Sequence, residues 1–290
     1  MTAKLHVYEE HAADPSGYAG VTIKPWSPAI GARVSDYRYE KGEVPEAVRA
    51  ALLHALYNHG VLVFEPGTVT ARNFTDFIRF LGEPLNYGGP HTPKAAENPA
   101  ALTIDSERNK YLRNHIWHVD GGYSPNPPRF TALYAKELPE SGGDTIFANA
   151  ARALELFDPL FRAYLESLTA ITYSDATGHL ADRYFDPEEL ARQRARLPAF
   201  EVPLIATHPE TGRKRINVNE SYTNYIKGQT RVVSQNILGI LFDAIKAPEV
   251  QLRLTWQPGL LAIWDNRVVQ HKGLKDYAAG NRVLYRATIA

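Results

Sequence analysis

Residues 260–271 read LLAIWDNRVVQH, an apolar run that passes into a polar segment and ends on a histidine. The run Leu260 to Trp264 is typical of a buried strand, and Pro258-Gly259 in front of it is typical of a turn. Further strands are predicted upstream at Val250 to Trp256 and downstream at Arg282 to Ile289. The end of the chain is therefore predicted to be a series of strands joined by turns.

Helices alternate irregularly with strands in the rest of the chain. Val44 to Asn58 and Ala150 to Leu168 carry apolar residues at helical spacing, whereas Val61 to Phe64 is typical of a buried strand. Tyr87 to Pro99 is rich in Gly, Pro and Asn and is predicted to be a long loop. Strands with interspersed helices and no regular βαβ rhythm favour a β-rich α+β fold, a sandwich or barrel with helices packed outside.

The composition limits the kinds of site that the chain can form. Its 290 residues suffice for one large domain, and we predict a single domain over residues 1–290. Lys+Arg and Asp+Glu both number 32, so the charge favours neither nucleic acid nor an anionic membrane as partner. The absence of cysteine excludes disulfides, zinc–thiolate sites, iron–sulfur clusters and cysteine nucleophiles. With neither a signal-peptide pattern nor a long apolar run, a cytoplasmic enzyme with a small-molecule substrate is expected.

The stretch Trp117-His118-Val119-Asp120 carries a histidine and a carboxylate two residues apart. In an extended segment, residues two apart project to the same face, so His118 and Asp120 point at one place. This pattern is common by chance and on its own indicates only a candidate metal site.

A third metal ligand is available from the polar segment that ends on His271. Two histidines and one carboxylate on one side of a metal leave adjacent positions open, as oxygen-activating iron sites require. Arg282 and Arg286, four residues apart on a predicted strand, would share a face, and a guanidinium fork suits a carboxylate. Asp265, Asn266 and Arg267 are predicted to hydrogen-bond across the strand end and to steady the loop that carries His271.

Taken together, these motifs resemble the TauD/TfdA group, the taurine dioxygenase-like Fe(II)- and 2-oxoglutarate-dependent oxygenases. The resemblance covers most of the chain and rests on the order and spacing of HVD at 118–120, GGDT at 142–145, WDNR with a histidine four residues on at 264–271, and the arginines at 282 and 286. It implies a double-stranded β-helix (jelly-roll) core with flanking helices. The resemblance leaves a homo-oligomer open, because relatives tend to form dimers or tetramers.

The resemblance also implies roles for individual residues. His118, Asp120 and His271 match the iron ligands, and Arg282 and Thr145 match the residues that bind the distal carboxylate of 2-oxoglutarate. Arg286 is counted with these cofactor-binding residues and also at the substrate, where the other residues implied are Asn114, Tyr87, His91 and Tyr123. The loop from Pro84 to His91 departs from the taurine enzyme, in which a histidine and a tyrosine stand in another order, so the resemblance implies the cofactor site but not a sulfonate pocket.

The implied reaction is oxidation of a C–H bond with release of succinate and CO₂, using Fe(II), 2-oxoglutarate and O₂. Hydroxylation of a small anionic metabolite is favoured; Asp120 speaks against halogenation, since halogenating relatives lack the carboxylate ligand. Desaturation or cyclisation, a zinc hydrolase with the same ligands, and a non-catalytic binding module remain alternatives. Most of the histidines, His208 among them, are predicted to be surface or satisfied polar residues, and Trp256 is predicted to be a core aromatic.

Overall fold

A computed structural model describes residues 20–85, 93–106, 114–173, 188, 195, 198–277 and 280–290. The strands, numbered in chain order, are β1 (Thr22–Pro25), β2 (Ala32–Ser35), β3 (Val61–Phe64), β4 (Pro84–Leu85), β5 (Lys94–Ala95), β6 (Asn98–Asp105), β7 (Phe130–Glu137), β8 (Thr145–Asn149), β9 (Thr169–Thr172), β10 (Phe200–Pro203), β11 (Ile205–Thr207), β12 (Lys214–Ile216), β13 (Thr223–Ile226), β14 (Gln251–Leu254), β15 (Leu261–Asp265), β16 (Val269–Gly273) and β17 (Val283–Ile289). The α-helices are α1 (Glu46–His59), α2 (Phe74–Phe77), α3 (Ala150–Glu155), α4 (Pro159–Glu166) and α5 (Arg231–Ile245), with 3₁₀ turns at Ile78–Leu81 and Pro248–Val250.

Among the described residues, the largest sheet has the order β1-β2-β3-β15-β7-β17-β6-β5, with β4 paired to β17. A second sheet has the order β14-β8-β16, and smaller ones are formed by β10-β9-β13 and β11-β12. The pairing is antiparallel except between β2 and β3. The sheet-rich architecture agrees with the predicted β-rich fold.

The central strands of the large sheet are buried on both faces. Along β15, Leu261 and Ile263 belong to a core shared with α1 and α2, while Ala262 and Trp264 belong to a core shared with β8 and β14. This alternation follows from the two-residue period of a strand, and it explains why the run carries no polar residue on either side. A third core joins α3, α4 and α5 to the smaller sheets.

The face of the large sheet that packs on the second sheet positions the polar residues of interest. On β17, Leu284 lies in the core between the two sheets, so Arg282 and Arg286 point toward the same interior. On β8, Phe147 lies in that core as well, and Thr145, two residues away, shares its face. The register pairs Thr145 with Gly273, and Phe147 with His271.

Two sequence-based predictions are wrong in detail. The helix expected from Ala150 to Leu168 is broken into α3 and α4, because Pro159 cannot continue a helix and the side chain of Asp158 caps a new one by accepting the backbone N–H of Phe161 at 2.9 Å. Part of the loop expected between Tyr87 and Pro99 is instead a strand pair formed by β5 and β6. No helix in the described part of the chain has the length and apolar character needed to cross a membrane.

Candidate active site

A β-bridge brings the two histidines of the motifs together. His118 and His271 form an isolated antiparallel bridge in which each backbone N–H donates to the other's carbonyl, at 3.1 and 2.9 Å. Their rings consequently lie side by side, with centroids 4.2 Å apart. Strand β16 thus carries one histidine, and the segment before Asp120 is anchored against it.

Asp120 completes a compact cluster with these two rings. Its Oδ1 lies 3.9 Å from Nε2 of His118, and its Oδ2 lies 3.9 Å from Nε2 of His271. One ligand atom from each of the three residues falls within 4.8 Å of the others, and all three side chains are buried. The structure therefore brings together the three residues that the sequence predicted as a metal site.

The protonation states suit a metal ion. Nδ1 of His118 lies 2.7 Å from the carbonyl of Ile116 and donates to it, which leaves the lone pair of Nε2 directed at the cluster. Burial lowers the pKa of His118, and burial beside His118 lowers the pKa of His271 to about 3. Burial alone would raise the pKa of Asp120, but His271, Arg286 and His118 hold it below its ordinary value. Neutral imidazoles with an ionised carboxylate are the forms that bind metals.

Two buried polar atoms of the cluster have no hydrogen-bond partner among the described residues: Oδ2 of Asp120 and Nδ1 of His271. A buried carboxylate oxygen without a donor is costly, and a cation would remove that cost. Two imidazoles and one carboxylate are a donor set that suits non-heme Fe(II). The residues present therefore fit a divalent metal ion.

A second polar group begins on β8, where Thr145 stands opposite Gly273, two residues from His271. Arg282 is buried, and its Nε donates to the carbonyl of Gly143 at 2.7 Å while its Nη2 donates to Oγ1 of Thr145 at 3.3 Å. Burial lowers the pKa of Arg282 to about 10, so the guanidinium remains charged at neutral pH. Arg282 keeps further N–H groups for a ligand, and a charged arginine beside a hydroxyl suits a carboxylate.

Gly143 lies so close to Arg282 that a substitution at this glycine tests the position of the guanidinium. Gly143 has a φ of +73°, and an added Cβ would lie 3.0 Å from Cδ of Arg282. Gly143→Ala is expected to displace the guanidinium and to weaken binding of 2-oxoglutarate, as measured by titration calorimetry. It should also lower the free energy of unfolding in urea by about 1–3 kcal/mol more than a change at a left-handed glycine with free space around it.

Gly212→Ala is the matched control, because Gly212 has a φ of +68° and an added Cβ would meet nothing within 4 Å. Gly212→Ala introduces the same backbone strain, which costs roughly 1 kcal/mol of stability, but no steric clash. Equal effects of the two substitutions on stability and on 2-oxoglutarate binding would contradict a role for the contact between Gly143 and Arg282.

Three of the five residues predicted at the substrate lie in the described part of the chain. Nη1 of Arg286 lies 3.5 Å from Oδ1 of Asp120, so this guanidinium stands at the ligand cluster. The carbonyl of Asn114 accepts the N–H of Gly273 at 2.6 Å, two residues from His271. Tyr123 packs edge-to-face on Tyr222, with ring centroids 5.4 Å apart. Tyr87 and His91 lie outside the described residues.

The loop before His271 is held by a buried network, as the sequence predicts. Asp265 is fully buried and accepts from Nε and Nη2 of Arg267, at 2.8 and 2.6 Å, and from Nε2 of His208 at 3.0 Å. The side-chain amide of Asn266 donates to Thr131 at 2.8 Å and accepts from the indole of Trp264 at 2.9 Å. His208 is therefore a buried, satisfied residue and not a surface one.

Trp256 is more than the core aromatic that the sequence predicts, because its indole N–H donates to Oγ1 of Thr145 at 3.0 Å. Ser221 is a residue that the sequence does not single out. Its N–H and hydroxyl both donate to the carbonyl of Trp117, at 3.2 and 3.1 Å, beside His118. No local signal marks either residue. The contact of Trp256 with Thr145 could be inferred only from the register of β14 against β8, in which Leu254 stands opposite Thr145 and Trp256 follows two residues later.

Comparison with known proteins decides between the families that such a site allows. The family model described as "Taurine catabolism dioxygenase TauD, TfdA family" matches residues 22–288. The chain belongs to the TauD/TfdA family. The predicted resemblance is thereby confirmed, and with it the predicted enzyme class, a dioxygenase.

Several members of the TauD/TfdA family are similar over nearly the whole chain. An "Alkylsulfatase" of Acinetobacter baylyi is 29% identical over 90% of this chain and 82% of its own length. An "Alpha-ketoglutarate-dependent sulfate ester dioxygenase" of Pseudomonas putida is 28% identical over 92% of this chain and 89% of its own length. Among solved structures, a taurine dioxygenase from Burkholderia xenovorans superposes with a TM-score of 0.77 at 28% identity, over 93% of this chain and 89% of its own.

Proposed function

We propose that this chain hydroxylates a C–H bond of a small organic anion, with a sulfate ester as the first candidate substrate, and that 2-oxoglutarate is converted to succinate and CO₂ in the same turnover. The observation that carries the proposal is a buried arginine–threonine pair, Arg282 and Thr145, in which Thr145 stands opposite Gly273, two residues from His271 of the metal-ligand cluster. A metal site alone would serve many reactions, whereas a metal site with a carboxylate receptor beside it suits a 2-oxo acid cosubstrate.

The cofactors follow from the family. Members named as 2-oxoglutarate-dependent dioxygenases, together with the three-residue cluster, establish Fe(II), 2-oxoglutarate and O₂ as the cofactor set. We propose that His118, Asp120 and His271 hold the iron. When bound, the iron supplies the oxidative chemistry, coupling decarboxylation of 2-oxoglutarate to oxidation of the substrate.

The residues of the chain then bind and orient the reactants. Arg282 and Thr145 bind the distal carboxylate of 2-oxoglutarate, which fixes the distance of its keto acid end from the cluster. Asp120, through its negative charge, offsets the charge of the metal and of Arg286. The buried position of all three ligand side chains excludes water from the reacting atoms.

An anionic substrate is supported by the position of Arg286. Its Nη1 lies 3.5 Å from Oδ1 of Asp120, and 23% of its side chain is exposed. A positive charge beside a buried site favours negatively charged ligands. The alkylsulfatase and the sulfate ester dioxygenase, both similar over about nine-tenths of the chain, support sulfate esters as the first class to test. Asn114 and Tyr123 are proposed to line the substrate pocket.

Hydroxylation of a sulfate ester has a distinctive outcome. If the carbon that bears the ester oxygen is hydroxylated, the product is a hemiacetal sulfate. Its C–O bond to sulfate then breaks as the hydroxyl loses its proton, which gives an aldehyde and inorganic sulfate. One O₂ and one 2-oxoglutarate are consumed for each sulfate released.

The architecture is part of the proposal. We assign the two sheets that share a core to a double-stranded β-helix, within one catalytic domain over residues 1–290. Two observations support this: both sheets contribute residues to the candidate site, and the family match extends from residue 22 to residue 288.

The test uses hexyl sulfate, hexanesulfonate, hexanoate and neutral hexanol with Fe(II) and 2-oxoglutarate in air. Hexyl sulfate is expected to yield succinate, hexanal and sulfate in equal amounts, with hexanol unreactive. If only hexanoate is turned over, the sulfate ester is wrong as the substrate class, whereas the assignment of the chain as a 2-oxoglutarate-dependent dioxygenase stands. Sulfate release without O₂ or 2-oxoglutarate would indicate hydrolysis and would contradict the proposed reaction altogether.

A further inference from the structure

Thr145 lies at the centre of a small hydrogen-bond network whose donors all point toward its hydroxyl. Its Oγ1 accepts from the indole N–H of Trp256 at 3.0 Å and from Nη2 of Arg282 at 3.3 Å. Thr145, Trp256 and Arg282 are all buried, with at most 6% of their surface exposed. Water therefore has little access to this hydroxyl.

The chemistry of these groups determines where the threonine proton points. A hydroxyl has two lone pairs and one proton, whereas an indole N–H and a guanidinium can only donate. With both lone pairs engaged, the proton of Thr145 is left to be donated to a third group. That group must be an acceptor.

We propose that Trp256 is a positioning residue that fixes the hydroxyl of Thr145 as a donor, so that this subsite selects a carboxylate over a carboxamide of the same shape. The inference rests on the proposed function, in which Thr145 and Arg282 bind the distal carboxylate of 2-oxoglutarate. Its new element is the part played by Trp256, which does not itself touch the cosubstrate. A carboxamide can present N–H groups to the threonine, and a hydroxyl locked as a donor has no lone pair for them.

The surrounding structure keeps the two side chains in place. Strand β14 pairs with β8 so that Leu254 stands opposite Thr145, and Trp256 follows two residues later. The other donor is also held, because Nε of Arg282 donates to the carbonyl of Gly143 at 2.7 Å. A small movement of either partner therefore does not free a lone pair of the Thr145 hydroxyl.

The experiment measures binding without turnover. N-oxalylglycine, an unreactive analogue of 2-oxoglutarate, and its amide N-oxalylglycinamide differ only at the distal end. Dissociation constants of both are measured by calorimetry on the Mn(II)-loaded full chain. In Trp256→Phe, which keeps an aromatic ring and removes the N–H, the acid is expected to bind roughly five- to tenfold more weakly. The amide should change less, so the preference for the acid shrinks while the charge of Arg282 preserves part of it.

A double-mutant cycle separates positioning from simple packing. In a Thr145→Val background the hydroxyl is absent, so Trp256→Phe is expected to leave the acid-to-amide ratio unchanged. Equal weakening of both ligands by Trp256→Phe, or the same change of ratio in the Thr145→Val background, would overturn the proposal. Should Trp256→Phe not fold, replacement of Trp256 by 3-benzothienylalanine exchanges the N–H for sulfur at nearly constant shape and makes the same prediction.

The outcomes for this inference and for the proposed function are distinguishable. Failure of the unsubstituted, Mn(II)-loaded chain to bind N-oxalylglycine would contradict the cosubstrate site itself. Tight binding with an acid-to-amide ratio that Trp256→Phe does not alter would contradict only the role of Trp256.

Discussion

Replacing Asp120 with alanine is expected to abolish detectable conversion of 2-oxoglutarate to succinate, a loss of roughly a hundred- to several thousandfold. The carboxylate is the only negative charge in the ligand cluster, and it stands against Arg286 and two histidines. Without it, a divalent ion would have to bind beside the positive guanidinium with no carboxylate between them. Loss of a buried charge partner costs about 3–5 kcal/mol, which corresponds to that range of rates.

Metal content and succinate formation are both measured for this variant. The matched control is Asp243→Ala, which makes the same change at a side chain that is 80% exposed on α5. The control is expected to retain full metal content and full activity. Undiminished metal binding and turnover in Asp120→Ala would contradict the assignment of Asp120 as a ligand.

Replacing Arg282 with alanine is expected to raise the KM for 2-oxoglutarate by about thirtyfold to several thousandfold. Arg282 is buried and donates hydrogen bonds to Gly143 and Thr145. Because water has little access to this position, it cannot compensate for loss of the guanidinium. Removing one partner of a buried, hydrogen-bonded charge pair costs about 2–5 kcal/mol. Because the substitution leaves the metal ligands in place, Fe(II) content should remain close to that of the unsubstituted protein.

Arg282→Lys tests the geometry separately from the charge. Lysine keeps the positive charge but lacks the planar fork that matches a carboxylate, so its KM is expected to lie between those of the unsubstituted chain and Arg282→Ala. Arg33→Ala, a change at an exposed arginine stacked on Trp26, serves as the remote control. A KM for 2-oxoglutarate that is unchanged in both Arg282 variants would exclude this arginine from the cosubstrate site.

Much of the site could be predicted because it depends on strand periodicity. Arg282 and Arg286 are expected on one face of a strand, and both lie on the face of Leu284, which packs toward the second sheet. The pairing of His118 with Asp120 also follows from the two-residue period. Joining these to His271 required the family resemblance, since no local pattern shows that residues more than 150 positions apart form a β-bridge.

The features that were not predicted depend on tertiary register. The bond from Trp256 to Thr145 exists only because β14 pairs with β8, more than a hundred residues earlier in the chain. The burial of His208 likewise results from its contact with Asp265, fifty-seven residues away. The break between α3 and α4, in contrast, is local: Asp158-Pro159 is a cap followed by a residue that cannot continue a helix, and the apolar periodicity concealed it.

The most direct test of the central claim is anaerobic absorption spectroscopy of the purified chain with stoichiometric Fe(II) and excess 2-oxoglutarate. If His118, Asp120 and His271 hold iron beside the carboxylate receptor of Arg282 and Thr145, a weak visible charge-transfer band should appear. The band should be absent in His118→Ala and should need a higher concentration of 2-oxoglutarate in Arg282→Ala. Fully metallated protein that gives no band, or a band that persists in His118→Ala, would contradict the account.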